Sequence, residues 1–161
     1  MRRVILCDLN YTLAANSHAR KDEEYRTFRD FIRRGEEYRA WLVTQLQDAQ
    51  HDGWKVALIT YRLAVYQDDT LQRIAEMTGH WTPDEAYFRR PGVQGDPARV
   101  KRLMLERAIY GRHGKPGEAT YLALESNKAT RAMYQAQSIR AVDVRALRGD
   151  SIFVGLQEGL L

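Results

Sequence analysis

Asp8, Asn10 and Thr12 follow directly on the apolar run Val4-Ile5-Leu6-Cys7, so a short buried strand would deliver a carboxylate, an amide and a hydroxyl into one loop. A carboxylate so placed can act as a nucleophile. Other apolar runs end in comparably reactive groups: 56–59 in Thr60, Tyr61 and Arg62, 86–88 in Arg89 and Arg90, and 121–124 in Glu125, Ser126 and Asn127. Lys101 falls in the first turns of a helix opened by Asp96-Pro97, with Arg99 as the other basic residue in that register. A nucleophilic carboxylate, a hydroxyl to hold a phosphoryl oxygen, a lysine and a further acid for a metal are the parts of phosphoryl transfer through an aspartyl phosphate. Each residue also has an ordinary use: Asp8 as a loop aspartate, Lys101 on a solvated helix face, Glu125 and Ser126 as helix-capping residues, Arg89 and Arg90 as a charge pair at a sheet edge.

The elements that must position these groups are short and alternate in period. Residues 4–7, 56–59, 86–88, 121–124 and 140–144 read as strands. Between them lie stretches with helical spacing: Tyr38, Trp41, Leu42 and Leu46; Val100, Leu103, Met104 and Ala108; Ala129, Ala132, Met133 and Ala136. Such alternation predicts an α/β fold, a three-layer Rossmann-like parallel sheet with helices on both faces, and ligands in such sheets collect beyond the carboxyl ends of the strands. Asp96-Pro97 and Ser126-Asn127 are expected helix starts, and His51-Asp52-Gly53 and the stretch 111–117 are turn material. Residues 14–24 are polar and unpatterned, which predicts a flap beside Asp8, with a connecting helix completing the segment 14–34.

Composition narrows the function classes. At 161 residues, 44% apolar and 29% charged, the chain fits one globular domain, 1–161, and no apolar run approaches the roughly 20 residues of a membrane span. A cytoplasmic location is expected, with no membrane partner. One cysteine excludes an internal disulfide, and the four histidines lack paired zinc-ligand spacing. The net charge of +4 comes mostly from arginine, which suits two-point recognition of phosphate. The glycine-rich stretch 111–117 lacks the full phosphate-loop pattern, so no kinase activity is expected of it.

Asp8-Leu9-Asn10-Tyr11-Thr12 resembles the first motif of the haloacid dehalogenase (HAD) superfamily, an apolar strand ending Asp-x-Asp-x-Thr, and departs from it at Asn10 and at the glycine usual at position 11. Within that superfamily the chain resembles most the 3′-phosphatase domain of phage polynucleotide kinase. There the second motif is Ser-Gly-Arg, standing here as Thr60-Tyr61-Arg62, and residues 89–96 with Lys101 and the stretch 121–134 resemble the third and fourth regions. The likeness covers nearly the whole chain, and the insert after the first motif is too short and too helical to form a large separate cap domain.

The resemblance implies Asp8 as nucleophile and Mg2+ ligand, the Asn10 carbonyl as a second ligand, and Glu125 or Ser126 as a third. Thr60 and the Tyr61 N–H would orient the phosphoryl group, Arg62 would grip phosphate, and Lys101 would neutralise charge; Thr12, Arg89 and Arg90 join the phosphate-binding set. Asn10 lacks the carboxyl that would protonate the leaving oxygen, a contribution of roughly 10²- to 10⁴-fold. Two readings follow. The first is an Mg2+-dependent phosphatase acting on a nucleic-acid 3′-phosphate end or a nucleotide. The second is a catalytically impaired protein of that fold that binds a nucleotide, nucleic acid or protein partner without hydrolysis.

Overall fold

The computed structural model describes residues 1–155; positions 156–161 of the expected 1–161 domain lie outside the described residues. Five parallel strands, β1 (Arg2–Cys7), β2 (Lys55–Leu63), β3 (Glu85–Arg89), β4 (Ala119–Leu124) and β5 (Arg140–Val142), form one sheet in the order β3-β2-β1-β4-β5. Strand β1 is therefore central. Its register pairs Cys7 with Leu58 on one side and Leu124 on the other, so β1 and β4 end level while β2 runs on to Leu63.

Alternation along β1 divides the core. Ile5 and Cys7 pack with Val56, Leu58, Leu122 and Leu124 against one set of helices, while Val4 and Leu6 pack with Ala57, Ile59 and Ala123 against the other. Because both faces are covered, these strands are continuously apolar rather than alternating with polar residues. Helix α2 (Ala40–His51) supplies Leu42 and Leu46 to the first face. The second face receives Leu105 and Ile109, which follow helix α4 (Pro97–Met104), and Tyr134 of α6 (Lys128–Ala136). Leu6→Ala would remove a fully buried side chain from the central strand, at about 2–5 kcal/mol.

Several boundaries have local causes. Asp96 Oδ1 accepts from Arg99 N at 2.9 Å and Asn127 Oδ1 from Thr130 N at 2.9 Å, so Asn127 rather than Ser126 caps α6. The expected strand 140–144 ends at Val142, because Asp143 caps the short helix α7 (Val144–Leu147). Tyr38 precedes α2 and bridges to Ala14. A helix that the periodicity does not announce, α3 (Gln67–Met77), follows β2; only Thr70 and Ile74 are buried along it, too few for a readable stripe. From α4 the chain continues through a wider turn at Leu105–Ile109 into α5 (Tyr110–His113) and stops at Gly114, whose φ of 105° suits glycine.

The segment 14–34 contributes one tight turn, Ser17–Lys21, and the seven-residue helix α1 (Phe28–Arg34). Tyr11 N donates to Ser17 Oγ at 2.9 Å and ties the segment to the loop after β1, while hydrogen bonds from Ala15 N to Glu37 O at 2.8 Å and from Asn16 Nδ2 to Gly35 O at 2.7 Å join its start to the residues just past its end.

Candidate functional site

Asp8 N donates to Leu124 O and Glu125 N to Val142 O, each at 2.9 Å, so the sheet ladder runs one residue past β1 and β4. Both carboxylates are thereby fixed at the strand ends. Helix α4 starts at the cap on Asp96, and its phase turns Lys101 inward: Nζ donates to Asp8 Oδ1 at 2.8 Å and to Glu125 Oε1 at 2.6 Å. Arg99 lies exposed, one half-turn away, so Lys101 is the basic residue that reaches Asp8.

All three groups are nearly closed from water, with side-chain exposures of 8% for Asp8 and 2% for Lys101 and Glu125. Burial disfavours the Lys101 charge, but Asp8 and Glu125 outweigh it and hold the ammonium above the ordinary lysine range. Burial and then the Asp8 charge push Glu125 up to about 7, against the pull of Lys101 and the Asn127 N–H. Cys7, next in the chain, is fully buried and its thiol is pushed up by burial, which makes it a core residue without nucleophilic use.

The other Asp8 oxygen faces the loop. Thr12 Oγ1 donates to Oδ2 at 2.8 Å, and Ser126 Oγ lies 3.1 Å from Oδ2 and 3.0 Å from Asn10 O. Tyr11, between Asn10 and Thr12, takes a left-handed conformation with φ 61°. For a residue other than glycine this costs on the order of 1 kcal/mol, and it turns the Asn10 carbonyl toward Ser126. Arg39 holds the same loop from behind, donating to Thr12 O at 2.9 Å.

A second buried cluster adjoins the first. Arg62 is 5% exposed; its Nη1 and Nη2 meet Glu36 Oε1 and Oε2 at 3.0 and 2.5 Å, and Nη1 also meets Thr70 Oγ1 at 2.9 Å. Its Nη2 donates to Asn10 Oδ1 at 3.1 Å. The guanidinium lies 4.8 Å over the Phe28 ring, and Tyr38 Oη donates to Glu36 Oε1 at 2.7 Å. Arg62, expected at a substrate phosphate, thus has its charge matched by Glu36.

Thr60 is buried and accepts from Arg62 N at 3.1 Å, within the stretch of β2 where its register with β3 shifts. Tyr61 and Arg89 stack at 4.2 Å, with Arg89 Nε donating to Tyr61 O at 3.1 Å; Arg90 is exposed beyond them. The structure therefore brings Asp8, Asn10, Thr12, Lys101, Glu125 and Ser126 together and Arg62 beside them. Arg89 and Arg90 lie further out, toward the β3 edge.

Glu36 was not foreseen, since it stands in Arg34-Gly35-Glu36-Glu37, where nothing distinguishes it from solvated Glu37. Arg131 was also missed: its Nη1 donates to the carbonyls of Glu125 and Ser126 at 3.1 and 2.8 Å and braces the loop after β4.

The oxygens around Ser126 bear on metal binding. In an octahedron with ligands at 2.0–2.1 Å, adjacent oxygens lie about 2.9–3.0 Å apart, close to the spacings Ser126 makes with Asp8 and Asn10. The set carries one carboxylate, a carbonyl and a hydroxyl, the sparse provision typical of Mg2+ sites completed by water and substrate phosphate. Glu125 faces the opposite way, onto Lys101 and Asn127 N. Among the described residues no group of three or more His, Cys, Asp and Glu side chains is placed to hold a metal.

No helix among the described residues is long and apolar enough to cross a membrane. No family model matches the chain, and no curated protein matches it. Among solved structures it is similar to a chain of the Pnkp1/Rnl/Hen1 RNA repair complex, with a TM-score of 0.67 and 16% identity over 89% of this chain and 42% of the other. A second structure of a Pnkp1/Rnl/Hen1 complex gives a TM-score of 0.66 and 15% identity over 89% of this chain and 46% of that one. The chain spans less than half the length of these neighbours, and the likeness is one of fold.

Proposed function

We propose that this chain handles the phosphorylated end of a polynucleotide, with Asp8 as the group that attacks phosphorus in an Mg2+-dependent phosphatase reaction. The observation that carries the reading is the convergence of Lys101, Thr12 and Ser126 on the two Asp8 oxygens at the carboxyl ends of β1 and β4. The neighbouring folds come from RNA repair complexes, which supports an end-processing role.

Oδ1 carries one hydrogen bond, from Lys101, and keeps a lone pair for attack. Oδ2 belongs with Asn10 O and Ser126 Oγ, the oxygens that would hold Mg2+. That ion would neutralise charge on the phosphoryl oxygens. In the first step the Oδ1–P bond forms and the P–O3′ bond breaks; the leaving oxygen takes its proton from water, because the Asn10 amide has none to give. In the second, water attacks phosphorus, the Oδ1–P bond breaks, and inorganic phosphate leaves with the Asp8 carboxylate restored. Lys101 offsets charge throughout and Thr60 would bind a phosphoryl oxygen.

The test is phosphate release from a 3′-phosphorylated oligonucleotide, a nucleoside monophosphate and an aryl phosphate with Mg2+. Release is expected from the parent and not from Asp8→Asn; equal release from both would reject the mechanism. One observation favours the alternative, a protein that binds such an end without hydrolysis: Arg62 holds Asn10 Oδ1, which leaves position 10 only an amide NH2, a donor that cannot titrate, to offer a ligand. Substrate binding with no turnover in the parent would select that reading.

A further inference from the structure

Helix α4 has a second face that the phosphoryl site does not use. While Lys101 turns to Asp8, Val100, Leu103 and Met104 follow one another at i, i+3 and i+4 and, with Arg107 from the wider turn that continues α4, line a pocket beside β3. Between this stripe and Phe88 and Val93 lies a pocket of ≈ 210 Å³, floored by aliphatic, methionine and aromatic side chains and rimmed by Arg89, Arg90 and Arg107. Strand β3 is the sheet edge, so the pocket opens sideways, two strands and thus about 9.5 Å across from β1.

The rim carries positive charge without compensation. Arg90 and Arg107 are exposed and have no hydrogen-bonded or ionic side-chain partner among the described residues, since the neighbouring Glu106 sits 3.9 Å from Arg102. Arg89 is held ready by its stack on Tyr61. An apolar slot with three guanidiniums at its mouth suits a flat, uncharged ring attached to phosphates. Bases stack on guanidinium planes and apolar walls whatever their identity.

We infer that this pocket receives the nucleobase next to the phosphorylated end, with Arg90 and Arg107 on the flanking backbone phosphates. The inference rests on the end-processing reading and extends it: the protein would hold a polymer in preference to a mononucleotide. Lys101 shares helix α4 with Val100, Leu103 and Met104 of the pocket wall, so the reacting phosphate and the neighbouring base would be set by the same element.

The experiment measures fluorescence anisotropy of the full chain with a labelled, 3′-phosphorylated single-stranded hexanucleotide, and with the same oligonucleotide made abasic at the next-to-last position. Ala108 lines the pocket and is exposed, so Ala108→Leu fills it without removing a core contact. Ala108→Leu and the abasic site should each weaken binding about tenfold, and together no more than either alone. Arg90→Ala with Arg107→Ala should lower the salt slope of log Kd by about 1.4, or about 0.7 per lost phosphate contact. Unchanged affinity in Ala108→Leu together with an unchanged slope in the arginine variant overturns the proposal. Binding of polyglutamate that Ala108→Leu abolishes, with oligonucleotide binding intact, also overturns it and assigns the pocket to an acidic protein. The two readings fail separately: absence of phosphate release from the parent overturns the hydrolytic reading, whereas the anisotropy series, run without Mg2+ so that no turnover occurs, tests the pocket alone.

Discussion

Arg62 Nη2 donates to Asn10 Oδ1 at 3.1 Å while the same guanidinium is clamped by Glu36. The oxygen end of the amide is thereby fixed, and its NH2 has no hydrogen-bond partner among the described residues. Asn10→Asp would put a carboxylate where a cation already points. Turnover of a 3′-phosphorylated oligonucleotide is expected to rise by roughly 10²-fold or more, with a smaller gain on an aryl phosphate, whose leaving group needs no proton. Equal gains on both substrates would remove proton transfer as the step affected.

Arg62 and Glu36 form a buried ion pair with side-chain exposures of 1% and 0%. Removing one partner strands the other away from water. Glu36→Gln should cost about 3–5 kcal/mol, a fall in Tm of roughly 10 °C, and the melting curve should show it with or without substrate. A change below 1 °C would mean that Thr70, Asn10 and Tyr38 suffice without the charge pair.

In the proposed mechanism Ser126 is one of the groups that would hold Mg2+, and an acid there would strengthen that hold. Ser126→Asp should destabilise the protein in the absence of Mg2+, because two carboxylates then crowd Asn10 O. Added Mg2+ should reverse that loss, with half-saturation at least about tenfold lower than in the parent. Thermal melts across an Mg2+ series read both effects, and a variant indifferent to Mg2+ would place the ion elsewhere.

Glu125, raised to about 7, predicts a pH dependence of defined sign. The folded protein binds this proton more tightly than the unfolded chain, so its contribution to stability is complete below about 4.5 and is lost as pH rises through about 7. The urea midpoint of the parent should therefore fall between about pH 5 and pH 8 relative to Glu125→Gln. Parallel curves for the two proteins would show that Lys101 keeps Glu125 ionised throughout.

The strand ends were legible because four apolar runs each close on a polar residue, and a parallel sheet buried on both faces leaves that signature. Asp8 and Glu125 could be named from it; Lys101 came from the helix start at Asp96-Pro97 and the family resemblance, and the phase of α4 turns it rather than Arg99 onto Asp8. Glu36 could not be read, as its partner Arg62 lies 26 residues on and only folding makes that contact. Helix α3 escaped for a different reason: Thr70 and Ile74 are its only buried residues, in a run of Gln, Asp and Arg. The pocket beside β3 joins residues of a strand, a loop and a helix, and no spacing within one segment encodes it.

The most direct measurement of the central claim is trapping of the covalent intermediate. Parent protein mixed with a 3′-phosphorylated oligonucleotide and Mg2+, quenched in acid and digested, should show by mass spectrometry one phosphoryl group on the peptide containing Asp8. Asn10→Asp should shorten its lifetime and Asp8→Asn should abolish it. Phosphate release from the parent with no label on that peptide, and with equal release from Asp8→Asn, would contradict a phosphoryl-Asp8 mechanism.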